Sequence, residues 1–522
     1  MKVMVLQSIF MVFIIIMVII LSFAESNERK PPNLIIMLMD DMGWGDLGVF
    51  GEPNKETPNL DRMASQGTLL TDFYTANPLC SPSRAALLTG RLPIRNGFYT
   101  DNAHARNAYT PQEVDGGITS EILFSELLSK AGYYNKIVGK WHLGHQYKYL
   151  PLQHGFDEWF GSANCHFGPY DGKSTPDIPV FRNNEMIGRY YQDFKINLKT
   201  GESNFTKLLI SEAVNFIKNA SSSPKPFFLY WTPDSSHAAC YASRDFLGKS
   251  RRGLYGDAVM ELDYGVGQIL NTLKELEIEN NTFVFFTSDN GAALVSKTSA
   301  GSNGPFLCGK QTTFEGGMRE PAIVWWPGVV PAGQVSYQPS TVMDLFSIAL
   351  GLASVETPKD RIIDGIDLLP SWVQGKNIDR PIFYYRGNEL MAARYGMYKA
   401  HFWCWTNSYD EFKQGIDYCP GMDLKGMTSH EQLNHTSQPI LFHLGRDPGE
   451  KFQLNSQSDE YKKALQSIMA QVNDHRSTLE PGKPQLNMCD RAVMHWSPPG
   501  CEKLDDCLKP PPSKPYKCDW PH

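Results

Sequence analysis

The run Leu34-Ile35-Ile36-Met37-Leu38-Met39 is apolar at every position, and this constrains the fold more than any other feature of the chain. A strand that alternates apolar and polar residues can show one face to water. An unbroken apolar run cannot, so it must be covered on both faces. Pro31-Pro32 and Asp40-Asp41 bound it. Residues 227–231, 282–287 and 322–326 read the same way, and segments of helical period (122–131, 207–218 and 255–276) lie between such runs. Strands alternating with helices predict an α/β domain with a large, mostly parallel mixed sheet flanked by helices, ending near residue 380.

The texture then changes. Residues 381–485 are aromatic, with short strands at 382–386 and 398–405 and one helix at 459–476, which predicts a smaller antiparallel α+β domain. Residues 486–522 hold Cys489, Cys501, Cys507 and Cys518 among Pro498, Pro499, Pro510, Pro511 and Pro512, and read as a disulfide-stapled meander. Zinc is the alternative, but the paired C-x₂-C knuckles of a zinc site are missing.

Compartment follows from the N-terminus. Met1-Lys2, an apolar stretch over 3–23 and the small-x-small ending Ser22-Phe23-Ala24 describe a signal peptide over residues 1–25. The rival reading is an uncleaved anchor, because the stretch is nearly long enough to span. No other run is, so a cleaved chain has no membrane span. Sequons at Asn204, Asn219, Asn280 and Asn434 suit a secretory glycoprotein. With 49 Lys+Arg against 56 Asp+Glu, the net charge of −7 disfavours a nucleic-acid partner.

Three motifs mislead. Gly43-Trp44-Gly45-Asp46-Leu47-Gly48 matches a dinucleotide fingerprint, but Gly51, Pro53 and Pro58 follow where a helix is required. Gly304 to Lys310 resembles a phosphate-binding loop, but Gln311 replaces the metal-binding Ser/Thr and no strand precedes it. His430 and His435 are one residue too far apart for a metalloprotease helix, and they read as part of a solvent loop.

The chemistry lies just beyond the strand ends, where α/β sheets bind ligands. Asp40-Asp41 follows the first strand, Ser288-Asp289-Asn290-Gly291 follows the 282–287 run, and His237 comes shortly after 227–231. Three carboxylates and an amide oxygen make an all-oxygen site for calcium or magnesium. Arg84, Lys140, His142 and Lys310 add cations and proton donors, the set needed by a tetrahedral oxyanion ester.

One segment decides the family. Cys80-Ser81-Pro82-Ser83-Arg84, closed by Thr89-Gly90-Arg91, resembles the C-x-P-S-R signature of sulfatases. Asp40-Asp41-Met42-Gly43-Trp44-Gly45-Asp46, Asn77-Pro78-Leu79-Cys80, Arg91-Leu92-Pro93-Ile94-Arg95-Asn96-Gly97, Gly316-Gly317-Met318-Arg319-Glu320-Pro321 and the tail around Pro498-Pro499-Gly500-Cys501 extend the likeness from about Pro32 to the C-terminus, toward the lysosomal glycosaminoglycan sulfatases. The resemblance implies an alkaline-phosphatase-like sulfatase fold with a catalytic domain over 26–380. It implies calcium held by Asp40, Asp41, Asp289, Asn290 and residue 80, and oxidation of Cys80 to formylglycine by the formylglycine-generating enzyme. One hydroxyl of the aldehyde hydrate attacks sulfur and the second expels sulfate.

The resemblance also gives roles. Arg84 and Lys140 stabilise the formylglycine and sulfate oxygens, and Asp289 helps deprotonate the attacking hydroxyl. His237 and Lys310 contact sulfate and protonate the leaving sugar hydroxyl, His142 takes the proton that releases sulfate, and Tyr109 lines the substrate pocket. The implied substrates are 6-sulfated N-acetylgalactosamine and galactose ends of chondroitin 6-sulfate and keratan sulfate, cleaved by a lysosomal exo-enzyme that is a homodimer. Disulfides are implied for Cys308–Cys419, Cys489–Cys518 and Cys501–Cys507, with Cys165 free. Two departures stand out. Ala239 replaces the usual Pro after His237, which predicts a slightly different loop, and Cys240 and Cys404 are additional, either paired or free. The competing readings are an arylsulfatase with another sulfated sugar or lipid substrate, a phosphatase or phosphodiesterase on the same architecture using Ser or Thr with zinc, and a catalytically dead glycan-binding relative.

Overall fold

The computed structural model describes residues 30–102, 109–118, 120–422, 424 and 427–518. The expected leader at 1–25 lies outside these residues.

The apolar runs build the middle of an 11-stranded mixed sheet. Its strands are β1 (Asn33–Met39), β2 (Thr68–Tyr74), β3 (Tyr134–Gly139), β4 (Glu158–Ser162), β5 (Pro179–Arg182), β6 (Glu185–Arg189), β7 (Phe227–Thr232), β8 (Thr282–Ser288), β9 (Arg319–Trp325), β10 (Gln334–Ser336) and β11 (Ser340–Thr341). The order is β10-β2-β9-β8-β1-β7-β3-β4-β5-β6, with β11 also beside β2. β8, β1, β7, β3 and β4 form a parallel block, so their carboxyl ends share one edge. β9 enters antiparallel between β2 and β8, and β5 and β6 are antiparallel additions at the far edge.

The both-faces reading of β1 is met literally. Leu34, Ile36 and Leu38 enter one core and Ile35, Met37 and Met39 the other. Each such buried side chain stabilises the fold by about 1.5–3 kcal/mol. The helices Cys80–Thr89, Phe124–Lys130 and Asp344–Leu352 cover the first face, and Phe205–Ala220 and Gly253–Glu275 the second. The fingerprint-like glycines run into two short 3₁₀ turns, Trp44–Asp46 and Gly48–Phe50, and not into a helix.

A second, four-stranded antiparallel sheet follows: β12 (Ile382–Arg386), β13 (Glu389–Tyr395), β14 (Tyr398–His401) and β15 (Ile440–His443), with the helix Asp459–Ser477 packed on it. β14 stops at His401, short of the expected 405, because the Phe402 and Trp403 N–H groups both donate to the one Met391 carbonyl on β13, which breaks the ladder. The tail adds a two-stranded ribbon, β16 (Met488–Cys489) and β17 (Tyr516–Lys517). Cys489 bonds Cys518 and Cys501 bonds Cys507, while Cys308–Cys419 ties the large domain to the smaller one. Cys80, Cys165, Cys240 and Cys404 are unpaired and buried.

A buried ionic network also joins the two sheets. Lys399 Nζ on β14 lies 3.0 Å from Glu315 Oε1 and 3.0 Å from Glu450 Oε1. Glu450 accepts from the Glu315 backbone N–H at 2.7 Å and from His401 at 2.6 Å. Arg394 and Arg319 both meet Asp72 on β2. Among the described residues no helix is long and apolar enough to cross a membrane.

Candidate active site

The parallel block delivers its strand ends to one place. Asp40 and Asp41 follow β1, Lys140 and His142 follow β3, His237 follows β7, and Asp289 and Asn290 follow β8. Asp41 has φ +60° and His142 φ +64°. Left-handed backbone outside glycine is uncommon and persists where the surroundings over-determine it. At Asp41 it turns the carboxylate back beside that of Asp40.

Cys80 opens the fully buried helix Cys80–Thr89, whose N-terminus carries partial positive charge. Its Sγ is 3.3 Å from Asp40 Oδ1, 3.8 Å from Asp41 Oδ1 and 3.3 Å from Lys310 Nζ. Arg84, four residues on, shares that helix face. Its Nε and Nη2 donate to Asp289 Oδ2 at 3.0 and 2.7 Å, and Nη1 donates to the Lys140 carbonyl at 3.1 Å. Lys140 Nζ holds Asp40 Oδ2 at 2.6 Å, and Lys310 Nζ holds Asp41 Oδ1 at 2.6 Å. The spacing of the signature thus sets a sulfur and a guanidinium on one side of three carboxylates.

Lys310 arrives on a loop that packs unusually close. A Cβ on Gly291 would stand 1.9 Å from the Gly316 carbonyl oxygen, and one on Gly316 2.2 Å from that of Cys308. Only glycine permits both approaches. The Lys310 and Gln311 N–H groups then donate to Ala292 and Pro78 carbonyls, which fixes the loop to β8 and to the turn before Cys80.

The electrostatics divide the groups. Burial, with the nearby Asp289 and Asp40 charges, pushes the Cys80 thiol well above its usual range, so as cysteine it is a protonated, poor nucleophile. Burial and the Asp40 charge raise Asp289 to about 6 against the pull of Arg84. Burial, then the Lys140 and Arg84 charges, lower His142 to about 3. Its Nε2 faces the Tyr109 carbonyl at 3.2 Å, and its buried Nδ1 has no partner among the described residues. His142 is therefore neutral, with Nδ1 a free acceptor. His237 is the opposite case. Burial opposes its charge, but the Cys165 sulfur and the Asp41 and Asp40 carboxylates carry it up to about 9. Its Nδ1 donates to the Ala238 carbonyl at 2.6 Å, leaving Nε2, 3.8 Å from Asp41 Oδ2, to face the cluster.

This arrangement can be set beside known proteins. The sulfatase family model matches residues 32–355, and the model for the C-terminal region of aryl-sulfatases matches 377–509. The chain belongs to the sulfatase family. The N-acetylgalactosamine-6-sulfatase of Canis lupus familiaris is 64% identical over 499 residues, 95% of this chain and 96% of that protein. The Homo sapiens protein of that name is 64% identical over 95% of each chain. Arylsulfatase A of Bos taurus is 33% identical over 93% of this chain and 96% of its own length. A solved fold neighbour, the PsFucS1 sulfatase from Pseudoalteromonas sp., has a TM-score of 0.72 at 28% identity, covering 88% of this chain and 94% of that one. This sulfatase is a sulfuric ester hydrolase.

Every site residue expected from sequence lies within this sulfatase's cluster or directly against it. The ligand atoms of Asp40, Asp41, Cys80 and His237 lie within 4.8 Å of one another. Asn290 donates to Asp41 Oδ1 at 2.8 Å, but its buried Oδ1 has no partner among the described residues. An orphaned carbonyl oxygen beside three carboxylates fits a hard divalent cation. Tyr109 is buried one layer out. Its hydroxyl donates to His145 Nδ1 at 2.6 Å, and His145 Nε2 donates to the Val493 carbonyl at 2.7 Å. The Ala238–Ala239 peptide is cis, and His237 still faces the cluster.

Three features had no readable signal. Cys165, expected only to be unpaired, has its side chain in hydrogen-bonding contact with Cys80. Asp234 gathers His166 at 2.8 Å and the Tyr241 hydroxyl at 2.7 Å behind the His237 loop. Glu320 is buried with both oxygens unpartnered, and burial raises it well above the carboxylate range.

Proposed function

We propose that this chain is a lysosomal exo-sulfatase that removes 6-sulfate from terminal N-acetylgalactosamine and galactose of chondroitin 6-sulfate and keratan sulfate. The observation that carries the reading is 64–65% identity to mammalian N-acetylgalactosamine-6-sulfatases across at least 95% of the chain. The buried cluster around Cys80 supports it.

Formylglycine at residue 80 supplies a hydrated aldehyde as the nucleophile that a protonated thiol cannot provide. Asp40, Asp41, Asp289, Asn290 and residue 80 would hold calcium, which would supply fixed positive charge for sulfate oxygens. The chain does the rest. Arg84, Lys140 and Lys310 surround residue 80 with cations aimed where negative charge develops, in a site from which water is excluded. Asp289, in its ionised form, accepts the proton of the attacking hydroxyl, and the Arg84 guanidinium beside it favours that form. His237, charged through Nε2, and Lys310 give a proton to the departing sugar oxygen. His142 keeps Nδ1 unprotonated and accepts the proton whose removal frees sulfate.

Secretory entry through residues 1–25 supports the compartment, as do the four sequon asparagines, all exposed. Modification by the formylglycine-generating enzyme, glycosylation at Asn204, Asn219, Asn280 and Asn434, and a homodimer belong to the same reading.

His142→Ala is expected to lower kcat by about 10²–10⁴-fold. A base must be neutral, and a pKa lowered to about 3 keeps His142 neutral throughout pH 4–7. The wild-type kcat profile is therefore expected to show no limb from His142 above about pH 4. An unchanged kcat in the variant would remove His142 from the mechanism.

The reading itself is tested on protein from secretory expression. The tryptic peptide spanning residues 63–84 is expected to carry an aldehyde or its hydrate in place of the thiol. N-acetylgalactosamine 6-sulfate is expected to react at least about 10²-fold faster than the 4-sulfate. An intact thiol overturns the formylglycine assignment, and equal rates overturn the substrate.

A further inference from the structure

Beside the tail lies a groove of about 450 Å³, lined by Lys173, Ser174, Arg491, Trp496, Lys514 and Tyr516 together with Asp490 and two prolines. It has no part in the mechanism above. Lys173, Arg491 and Lys514 are exposed, and none is paired with a carboxylate among the described residues.

The acids nearby are already engaged. Asp490 accepts from the Ala492 N–H at 2.9 Å, the Ser513 hydroxyl at 2.6 Å and the Lys514 N–H at 3.2 Å. Asp171, itself exposed, accepts from the backbone N–H groups of Lys173, Ser174 and Thr175 at 2.9, 2.7 and 3.1 Å. These bonds stiffen both walls, and the three cations facing the groove outnumber the two carboxylates beside it. Arg491 also donates to the Ser174 carbonyl, which joins the walls. Tyr516 is 41% exposed and adds an aromatic surface. On a chain of net charge −7, such a concentration of unpaired cations is a local exception.

Both walls continue along the chain into segments that pack against active-site residues. Upstream of Lys173, Phe167 packs its ring 5.8 Å from that of His237, and Asn164 accepts from His495 at 2.7 Å. On the tail, Val493 holds His145, which holds Tyr109.

We propose that this groove is an exosite for an anionic polysaccharide, binding sulfate or carboxylate groups of sugars behind the terminal residue held in the active site. It rests on the glycosaminoglycan reading above and goes beyond it by giving the polymer, rather than its terminal sugar, a second point of attachment. Charge complementarity selects the occupant. Three separated cations match the repeating negative charges of such a chain, whereas a neutral glycan gains nothing from them.

The test compares two substrates, a 6-sulfated monosaccharide and a hexasaccharide ending in the same sugar. Wild type is expected to show a KM about tenfold lower for the hexasaccharide, the sum of three exposed charge contacts. A preference that weakens with added salt is part of the same expectation. The triple variant Lys173→Ala/Arg491→Ala/Lys514→Ala is expected to lose the preference and keep its kcat and KM on the monosaccharide. Lys514→Glu, a single exposed change, provides the same contrast if the triple variant fails to fold. Equal KM values for both lengths in wild type, or a preference that survives the substitutions, overturns the exosite and leaves the active-site reading standing. Failure of wild type to cleave either sugar overturns the substrate reading and the exosite with it.

Discussion

Cys80→Ala is expected to abolish sulfate ester hydrolysis, by about 10⁴-fold or more, with little change in stability. Removing a nucleophile removes the path it opens, and the residual rate is what binding and charge stabilisation provide alone. The fold has little to lose. Residue 80 is the first position of the helix Cys80–Thr89, where alanine is at least as good a helix former, and its sulfur reaches Asp40, Asp41 and Lys310. A shift in unfolding free energy within about 1 kcal/mol is expected. The decisive measurement pairs sulfate release with urea unfolding. A folded variant retaining more than about a tenth of wild-type turnover would move the nucleophile elsewhere.

The largest stability effect is expected far from the chemistry, at Lys399→Met. The methionine keeps the length of the apolar stem and removes only the ammonium. Glu315 and Glu450 then stand in the interface between the two sheets without their shared cation, and breaking a buried pair in this way costs about 3–5 kcal/mol at pH 7. The pH dependence gives a second check. Burial alone would raise the Glu315 pKa, yet Lys399, Arg319 and Arg394 hold it down to about 2. A depressed carboxylate contributes stability above pH 4.5 that is lost as pH falls toward 2. With Lys399 gone the folded pKa moves up, and protonation relieves the buried charge. The deficit of the variant is thus expected to be smaller at pH 5 than at pH 7. Urea midpoints at both pH values test this, and a loss below about 1 kcal/mol at pH 7 would mean that the network does not hold the sheets together.

How much of this was legible depended on where each residue finds its partners. β1 and β8 could be read because each has an unbroken apolar run, residues 34–39 and 283–286, and Asp40-Asp41 and Asp289 follow them. β3 escaped notice because Asn135 and Lys136 interrupt its apolar pattern. Their partners are the Ser125 and Gly155 carbonyls, Glu158 and Glu212, and no local pattern announces them. β2 was hidden for the same reason, since Asp72 within it is neutralised by arginines from β9 and β13. The antiparallel entry of β9 left no mark on its apolar run, which is buried whichever way it points. At the site, motifs supplied the residue types but not their convergence. Lys310 and Cys80 touch across 230 positions of sequence, and Arg84 and Asp289 across 205. Cys165, Asp234 and Glu320 belong to no motif, and only the packing brings them there.

That separation along the chain also sets a clock. Cys80 is 4% exposed in the finished fold, behind Asp40, Asp41 and Lys310. Lys310 leaves the ribosome 230 residues after Cys80, and at roughly 5–20 residues per second this takes on the order of 10–50 seconds. The wall that Lys310 contributes around residue 80 cannot close before that interval ends. Any enzyme that alters this side chain must act before the wall closes, so slower folding of the later segments prolongs the opportunity and faster folding shortens it. The yield of competent molecules then depends on the relative rates of two processes, elongation and side-chain conversion, as well as on the stability of the native state.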